Sequence, residues 1–438
     1  MKRMLSNLNI FSRLKAATKT NTFRQSSITF SGTMVNGFLG ALFYLLSARY
    51  LGPSSFGILS VSIATLALTA DIANFGVNTA LVRFVSKYFT KDKDRANRFL
   101  KLGIEIKIIA SFGVLMLGYL GSSFLANYVF AKPEMLFPLR LSFIGVGTTL
   151  LFSFTTSFFQ SSQRFVAWSL IQILTNFLRL SAVVLIFILG FLSVDTVIVG
   201  YILMPFLGFV ISICFIPNDF WKVKKEWSVS NEFFNYNKWV ALFSIVSAVS
   251  ARVDTFISAR LLSTAEVGIY SAANQLVQVV PQIIAAISTV IAPKISSMGS
   301  LKSLISYLKK TQMLVVGIAV LAILSIPLAS YLIPLFYGSQ YLASVKIFTI
   351  LLIASLIFLI SVPIHNAIFY YFSKPSLFFW LSLLNLSIVM ILGWNLISAY
   401  GVVGAAISVL VGQFFNFLIP LIWVLREIRL RSLRETVG

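Results

Sequence analysis

Four ionisable side chains fall deep inside the apolar stretches of this sequence: Asp71, Arg179, Arg252 and Asp254. At a helical rise of about 1.5 Å per residue, Arg252 stands about 21 Å beyond Lys238, and Arg179 lies as far beyond Arg164. Asp71 lies about 18 Å before Arg83 on the same reckoning. All four are therefore expected at one level, midway through a membrane. Ionisable groups at that depth are costly and usually face a cavity or a partner. A guanidinium stays charged and grips a phosphate in a bidentate fork. Arg179 and Arg252 are thus candidate ligands for a phosphorylated substrate, one from each half of the chain. The bland alternative is that they pair with Asp71 and Asp254 as scaffold. The two aspartates are candidate coupling sites for H+ or Na+, although neighbouring arginines would repel a cation.

Polar amides supply a second set. Asn74 and Asn78 stand at i and i+4, on one helix face, and Gln275, Gln278 and Gln282 form another stripe. With Asn176 they are candidate sugar-binding groups, with interhelical hydrogen bonding as the competing reading. His365 is the only histidine and Cys214 the only cysteine, so neither a metal site nor an internal disulfide is expected. No catalytic group and no cofactor is expected. The nucleotide-binding pattern G-x-x-x-x-G-K-[ST] is absent. Lys91-Asp92-Lys93-Asp94 contains a D-x-D, but in a short charged loop it reads as a solvated run.

The elements that must carry these residues follow from composition. Of 438 residues 58% are hydrophobic and 11% charged, with a mean hydropathy of +0.91. Soluble domains carry about 25% charged residues. A solvated enzyme, a disordered chain and an alternating-pattern β-barrel are all excluded. The expected fold class is all-α, a polytopic membrane protein with about twelve spans. Their limits are near 25–47, 57–81, 101–130, 137–160, 165–189, 195–216, 238–260, 267–292, 306–336, 343–372, 376–398 and 402–425. With the N-terminus inside, the inward segments hold 28 of the 35 Lys and Arg, and the outward loops hold five. That bias predicts an even span count with both termini cytoplasmic in a plasma (inner) membrane. The net charge of +22 is then a topology signal and not a nucleic-acid footprint. The expected organisation is a tail or interfacial helix at 1–24, a six-helix bundle at 25–220, a linker at 221–237, a second bundle at 238–425 and a basic tail at 426–438.

The two bundles are related. SARYLGPSSFGILS from Ser47 and SARLLSTAEVGIYS from Ser258 share seven of fourteen residues at an offset of 211. A weaker match pairs Gln163-Arg164-Phe165 with Ser373-Lys374-Pro375. Six spans per repeat put both halves in the same orientation, with substrate between them near the midplane.

The same residues carry a resemblance. LGPSSFGILS with DIANFGVNTALVRFVSKY resembles the first two spans of the polysaccharide-biosynthesis flippases. RVDTFISARLLSTAEVGIYSAANQL with IAPKISS is similar to their seventh and eighth. These are Wzx-type members of the multidrug/oligosaccharidyl-lipid/polysaccharide exporter superfamily. The resemblance implies two six-helix bundles around a central cavity. It implies a polyprenyl-pyrophosphate-linked oligosaccharide moved from the inner to the outer leaflet, with membrane lipids and polysaccharide polymerases as partners. A multidrug or organic-cation antiporter is the alternative on the same fold. A membrane polymerase or ligase would need a large outer loop, and no loop here exceeds about 25 residues on this span assignment.

Overall fold

A computed structural model describes residues 21–374 and 376–437, and the described residues form helices with no strand. The interfacial helix expected at residues 2–20 lies outside them. The first helical stretch, Asn21–Ala73, has 53 residues. Unbroken it would run about 80 Å, far more than the roughly 30 Å hydrocarbon core. It is divided at Gly52 (φ 76°, ψ 169°), where only a residue without Cβ enters readily, and Pro53 restarts the next helix. We number the two pieces α1 (21–51) and α2 (53–73). Then follow α3 (Val77–Tyr88), α4 (Lys93–Phe124), α5 (Leu136–Ser161), α6 (Phe165–Ile188), α7 (Val194–Ile213), the short α8 (Asp219–Lys222) and α9 (Trp227–Ser250). The second half continues with α10 (Val253–Leu261), α11 (Thr264–Val277), α12 (Val279–Ser296), α13 (Leu301–Ile323), α14 (Ile326–Tyr337), α15 (Ser344–Asn366), α16 (Ser376–Tyr400) and α17 (Val402–Val437).

Among the described residues ten helical stretches are long and apolar enough to cross a membrane, and the bent pair α9–α10 makes eleven. Counting α1 and α2 separately at Gly52 gives twelve. One boundary differs from expectation in a way that matters. α4 begins at Lys93, where the Asp92 carboxylate accepts the Arg95 N–H as an N-cap. Lys107, counted above among the inward cations, lies well inside this helix and is fully buried. Moving it leaves 27 inward cations against five outward, so the orientation argument stands.

The repeat is physical. A Cβ on Gly57 would stand 1.9 Å from the Thr264 carbonyl oxygen, and one on Gly268 would stand 2.0 Å from that of Pro53. At the offset of 211, Gly57 maps onto Gly268 and Pro53 onto Thr264, so α2 and α11 cross at a reciprocal, backbone-to-backbone contact. Gly190 (φ 75°) and Gly401 (φ 58°) end equivalent helices in the left-handed conformation. Gln163 (φ 58°) and Ser373 (φ 52°) share the same turn.

The hydrophobic cores show how the halves meet. We call the end carrying turns 89–92 and 162–164 the basic end, and the opposite one the far end. One cluster joins Val61, Phe130, Leu139 and Phe143 to Ile257, Val267 and Leu351. Another joins Phe43, Phe56 and Ile198 to Ala329, Tyr337 and Tyr341. At the basic end a third cluster draws on residues 77–171 and on Ile216, Phe220, Val229 and Phe233. A fourth draws only on residues 291–424. The halves thus share cores toward the far end, while at the basic end the first half's core takes in only the start of α9 and the second half has its own.

Candidate functional site: the cavity between the halves

Helix continuity fails where the site forms. α9 stops at Ser250, α10 starts at Val253, and their axes differ by 41°. Arg252 occupies the break (φ −135°, ψ 0°). One guanidinium nitrogen donates to the Ala248 carbonyl at 3.2 Å, and the other to Asp71 Oδ2 at 2.9 Å. The pair links the second half to the first. Its partners are unequal: the Arg252 side chain is 23% exposed and that of Asp71 52%. Arg252 also lines a cavity of about 320 Å³ with Tyr44 from α1, Ser60 from α2, Thr255 from α10, and Asn274, Gln275 and Gln278 from the α11 region. No carboxylate lines it. The arrangement offers a cation, amides and hydroxyls at a broken helix, a form in which membrane transporters bind polar substrates.

The other predicted residues divide. Arg179 lies in an adjoining cluster: its Nε donates to the Tyr201 carbonyl at 3.1 Å and its Nη1 to Asn176 Oδ1 at 3.0 Å. The guanidinium sits 3.9 Å from the centroid of the Tyr201 ring. Asn176 in turn donates to Asn36 Oδ1 at 2.6 Å. Asp254 is buried and accepts from the Tyr270 hydroxyl, not from an arginine.

Asn74 and Asn78 turn to the buried lysine. Lys107 Nζ donates to Asn74 Oδ1 at 3.1 Å, to Asn78 Oδ1 at 2.8 Å and to Ser153 Oγ at 2.5 Å. The two amides, expected on one helix face, are instead separated by the turn at residues 74–76, with Asn78 in α3. No signal in the sequence pointed to Tyr44 or Asn36. His365 packs between Phe358 and Phe378 and contacts the Asn416 carbonyl at 3.0 Å. Among the described residues no group of three or more His, Cys, Asp or Glu could hold a metal.

The far end closes the cavity with bonds to main-chain carbonyls. Tyr341 donates to Ala48 O at 2.9 Å, and Lys132 to Ala259 O. Ala48 and Ala259 are repeat equivalents. Arg49 Nη1 adds bonds to Leu335 O at 2.7 Å and Phe336 O at 3.1 Å. Burial pushes the Lys132 ammonium below its usual value; Arg260 adds to this, and Glu134 and Glu266 oppose it. At the basic end a groove of about 720 Å³ lies between Phe30, Thr33 and Met34 of α1 and Gln282, Ala286 and Val290 of α12.

Twofold-related helical halves around a polar, membrane-embedded cavity define a transporter. Residues 23–299 match the family described as polysaccharide biosynthesis protein, and the chain belongs to that family. A Shigella flexneri relative named "Putative O-antigen transporter" is 20% identical over 370 residues, 82% of this chain and 87% of its own. Among solved structures, the lipid II flippase MurJ in an inward closed conformation is similar, with a TM-score of 0.73 and 18% identity. That match covers 93% of this chain and 90% of the other. An inward-facing multidrug resistance MATE family transporter of the MOP superfamily also has a TM-score of 0.73, at 13% identity, covering 92% and 96%.

Proposed function

We propose that the protein is a flippase that moves a polyprenyl-pyrophosphate-linked oligosaccharide from the inner to the outer leaflet of a plasma membrane by alternating access. The observation that carries this reading is Arg252: a guanidinium at a helix break, in an acid-free polar cavity shared by both halves. The diphosphate takes the guanidinium, and Gln275, Gln278 and Asn274 meet the first sugars. The groove between α1 and α12 gives the polyprenyl chain an apolar exit to lipid. Arg179 with Asn176 serves as a second cationic station in the first half. With the basic end cytoplasmic, as the charge bias requires, the cavity loads from inside while the far end is shut.

Asp71 is the coupling residue in this scheme. Protonating it releases Arg252 for the phosphate, so the ion pair and the substrate compete for one guanidinium. The acid-free lining disfavours organic cations as cargo.

The test is flipping in proteoliposomes of a fluorescent polyprenyl-diphosphate oligosaccharide, read with a reagent that modifies only the outer leaflet. Flipping should fall at least tenfold in Arg252→Ala, and Asp71→Asn should lose dependence on a proton gradient. Flipping that persists in Arg252→Ala would remove the phosphate clamp. Organic-cation uptake without flipping would replace the whole reading.

A further inference from the structure

At the basic end of the first half lies a separate cavity of about 410 Å³, lined by Asn78, Thr79, Val82, Arg83, Gln160 and Tyr236. We propose that it is an anion site for a phosphate-class oxyanion, apart from the Arg252 cavity. The proposal borrows from the flippase reading only the source of the ligand.

Arg83 is held ready for an anion. Its guanidinium lies 4.3 Å from the centroid of the Tyr236 ring, which fixes its position without neutralising it. The acids nearby are engaged elsewhere. Glu232, one turn before Tyr236 on α9, is bound by Arg95 at 2.8 Å and Lys87 at 3.6 Å. Glu226 pairs with Arg98, Asp219 with Lys93 at 3.2 Å, and Glu105 with Lys225 at 3.1 Å. Among the described residues no carboxylate is within ion-pair distance of Arg83.

Behind the cavity lies a buried lysine. Lys107 is fully buried and its ammonium contacts only the neutral oxygens of Asn74, Asn78 and Ser153. An ammonium has donors only, so it must meet Asn78 through Oδ1. The Asn78 amide N–H groups are then left for the cavity. One side chain thus links the buried lysine to the pocket. A guanidinium, an amide donor, the Thr79 hydroxyl and the Gln160 amide converge with no acid among them, a donor set suited to a tetrahedral oxyanion.

The test uses the full chain in an uncharged detergent, with thermal unfolding titrated by inorganic pyrophosphate at constant ionic strength. Wild type should show a saturable rise in Tm. Arg83→Gln should weaken apparent affinity at least tenfold, Arg83→Lys less, and Arg252→Ala should leave most of it. If Arg83→Gln does not fold, Gln160→Leu, which leaves Lys107 and Arg83 in place, should show a several-fold loss. No saturable rise in wild type, or wild-type titrations from both Arg83→Gln and Gln160→Leu, would overturn the site. Repeating the titration in nanodiscs separates the sources. Loss of pyrophosphate binding in phosphatidylglycerol but not phosphatidylcholine assigns the pocket to a phospholipid headgroup; retention in both assigns it to the diphosphate of the lipid-linked cargo. Since flipping by Arg252→Ala is measured separately, failure here leaves the flippase reading intact, and the reverse also holds.

Discussion

The two ends of the molecule are held together by different chemistry. At the far end the halves meet backbone to backbone. Gly57 and Gly268 let α2 and α11 touch, and Tyr341, Lys132 and Arg49 donate to carbonyls across the seam. The helix crossing depends on shape, and the donors bond neutral carbonyls, so salt screens this end less than it screens ion pairs. At the basic end the bonds are ion pairs, and all but Arg252–Asp71 and Arg431–Glu427 bind the linker and α9 to the first half. Beyond the linker and the first turns of α9, only the Arg252–Asp71 pair is ionic across the halves among the described residues. A molecule built this way opens at its basic end by parting ion pairs and the packing of Val229 and Phe233 at the start of α9, whereas opening the far end means separating two shared cores.

The largest effect should come from crowding the crossing. Gly57→Ala or Gly268→Ala places a methyl about 2 Å from a carbonyl oxygen that cannot move without its helix. Each should cost about 3 kcal/mol, the upper part of the usual overpacking range. The double variant should cost less than twice that, because both methyls press on one contact. Thermal unfolding in detergent measures this. Full stability in either single variant would mean that the halves are not joined at this crossing.

A smaller effect is expected inside the first half. Asn78→Leu removes one of three acceptors from the buried Lys107 ammonium. Hydrogen bonds to charged groups are worth about 1.5–3 kcal/mol, so a loss of about 2 kcal/mol is expected. Adding Lys107→Met should restore most of it, since the charge that needed the acceptor is gone. Equal stability of the single and double variants would show that Lys107 does not depend on Asn78.

Tyr341→Phe sharpens the comparison further. It deletes one bond of the far-end seam and leaves its repeat counterpart, Lys132 to Ala259, in place. A loss of about 1 kcal/mol raises the far-open population roughly fivefold. In a Cys214→Ser background, a cysteine at Ser60, which lines the central cavity, should react about five times faster with an impermeant maleimide added at the far side. An unchanged rate would show that the hydroxyl does not latch the seam.

What the sequence disclosed follows the same division. The repeat at offset 211 announced the far end, because the glycines and carbonyls of the seam are the repeated residues. Gln163 and Ser373, matched weakly by type, share a left-handed turn that local chain chemistry demands. The site was less legible. Helical rise gives depth but not azimuth, so Arg179 and Arg252 were placed at one level while their different directions stayed hidden. Arg179 turns to Tyr201, and Asp71 rather than Asp254 takes Arg252. The break at Ala251–Arg252 has neither proline nor glycine to mark it. Lys107 follows a run of inward charges in the sequence, and nothing in that run marks it as buried. The amides that meet it lie elsewhere in the chain, Asn74 in the turn after α2 and Asn78 in α3, and only packing joins them to Lys107.

The smallest effect is expected from the Lys93–Asp219 pair, whose side chains are 65% and 51% exposed. Exposed pairs contribute roughly 0–1 kcal/mol and are screened by salt. Lys93→Ala should therefore leave both Tm and flipping near wild type. Arg95→Ala, which removes the half-buried contact to Glu232, should lower Tm by more, and that drop should shrink in high salt. A basic end held by screened pairs must weaken as salt rises, while the far-end cysteine assay stays constant. If salt instead speeds labelling at the far side, the two ends are coupled through α9, and the contrast between them is one of mechanism rather than of independent strength.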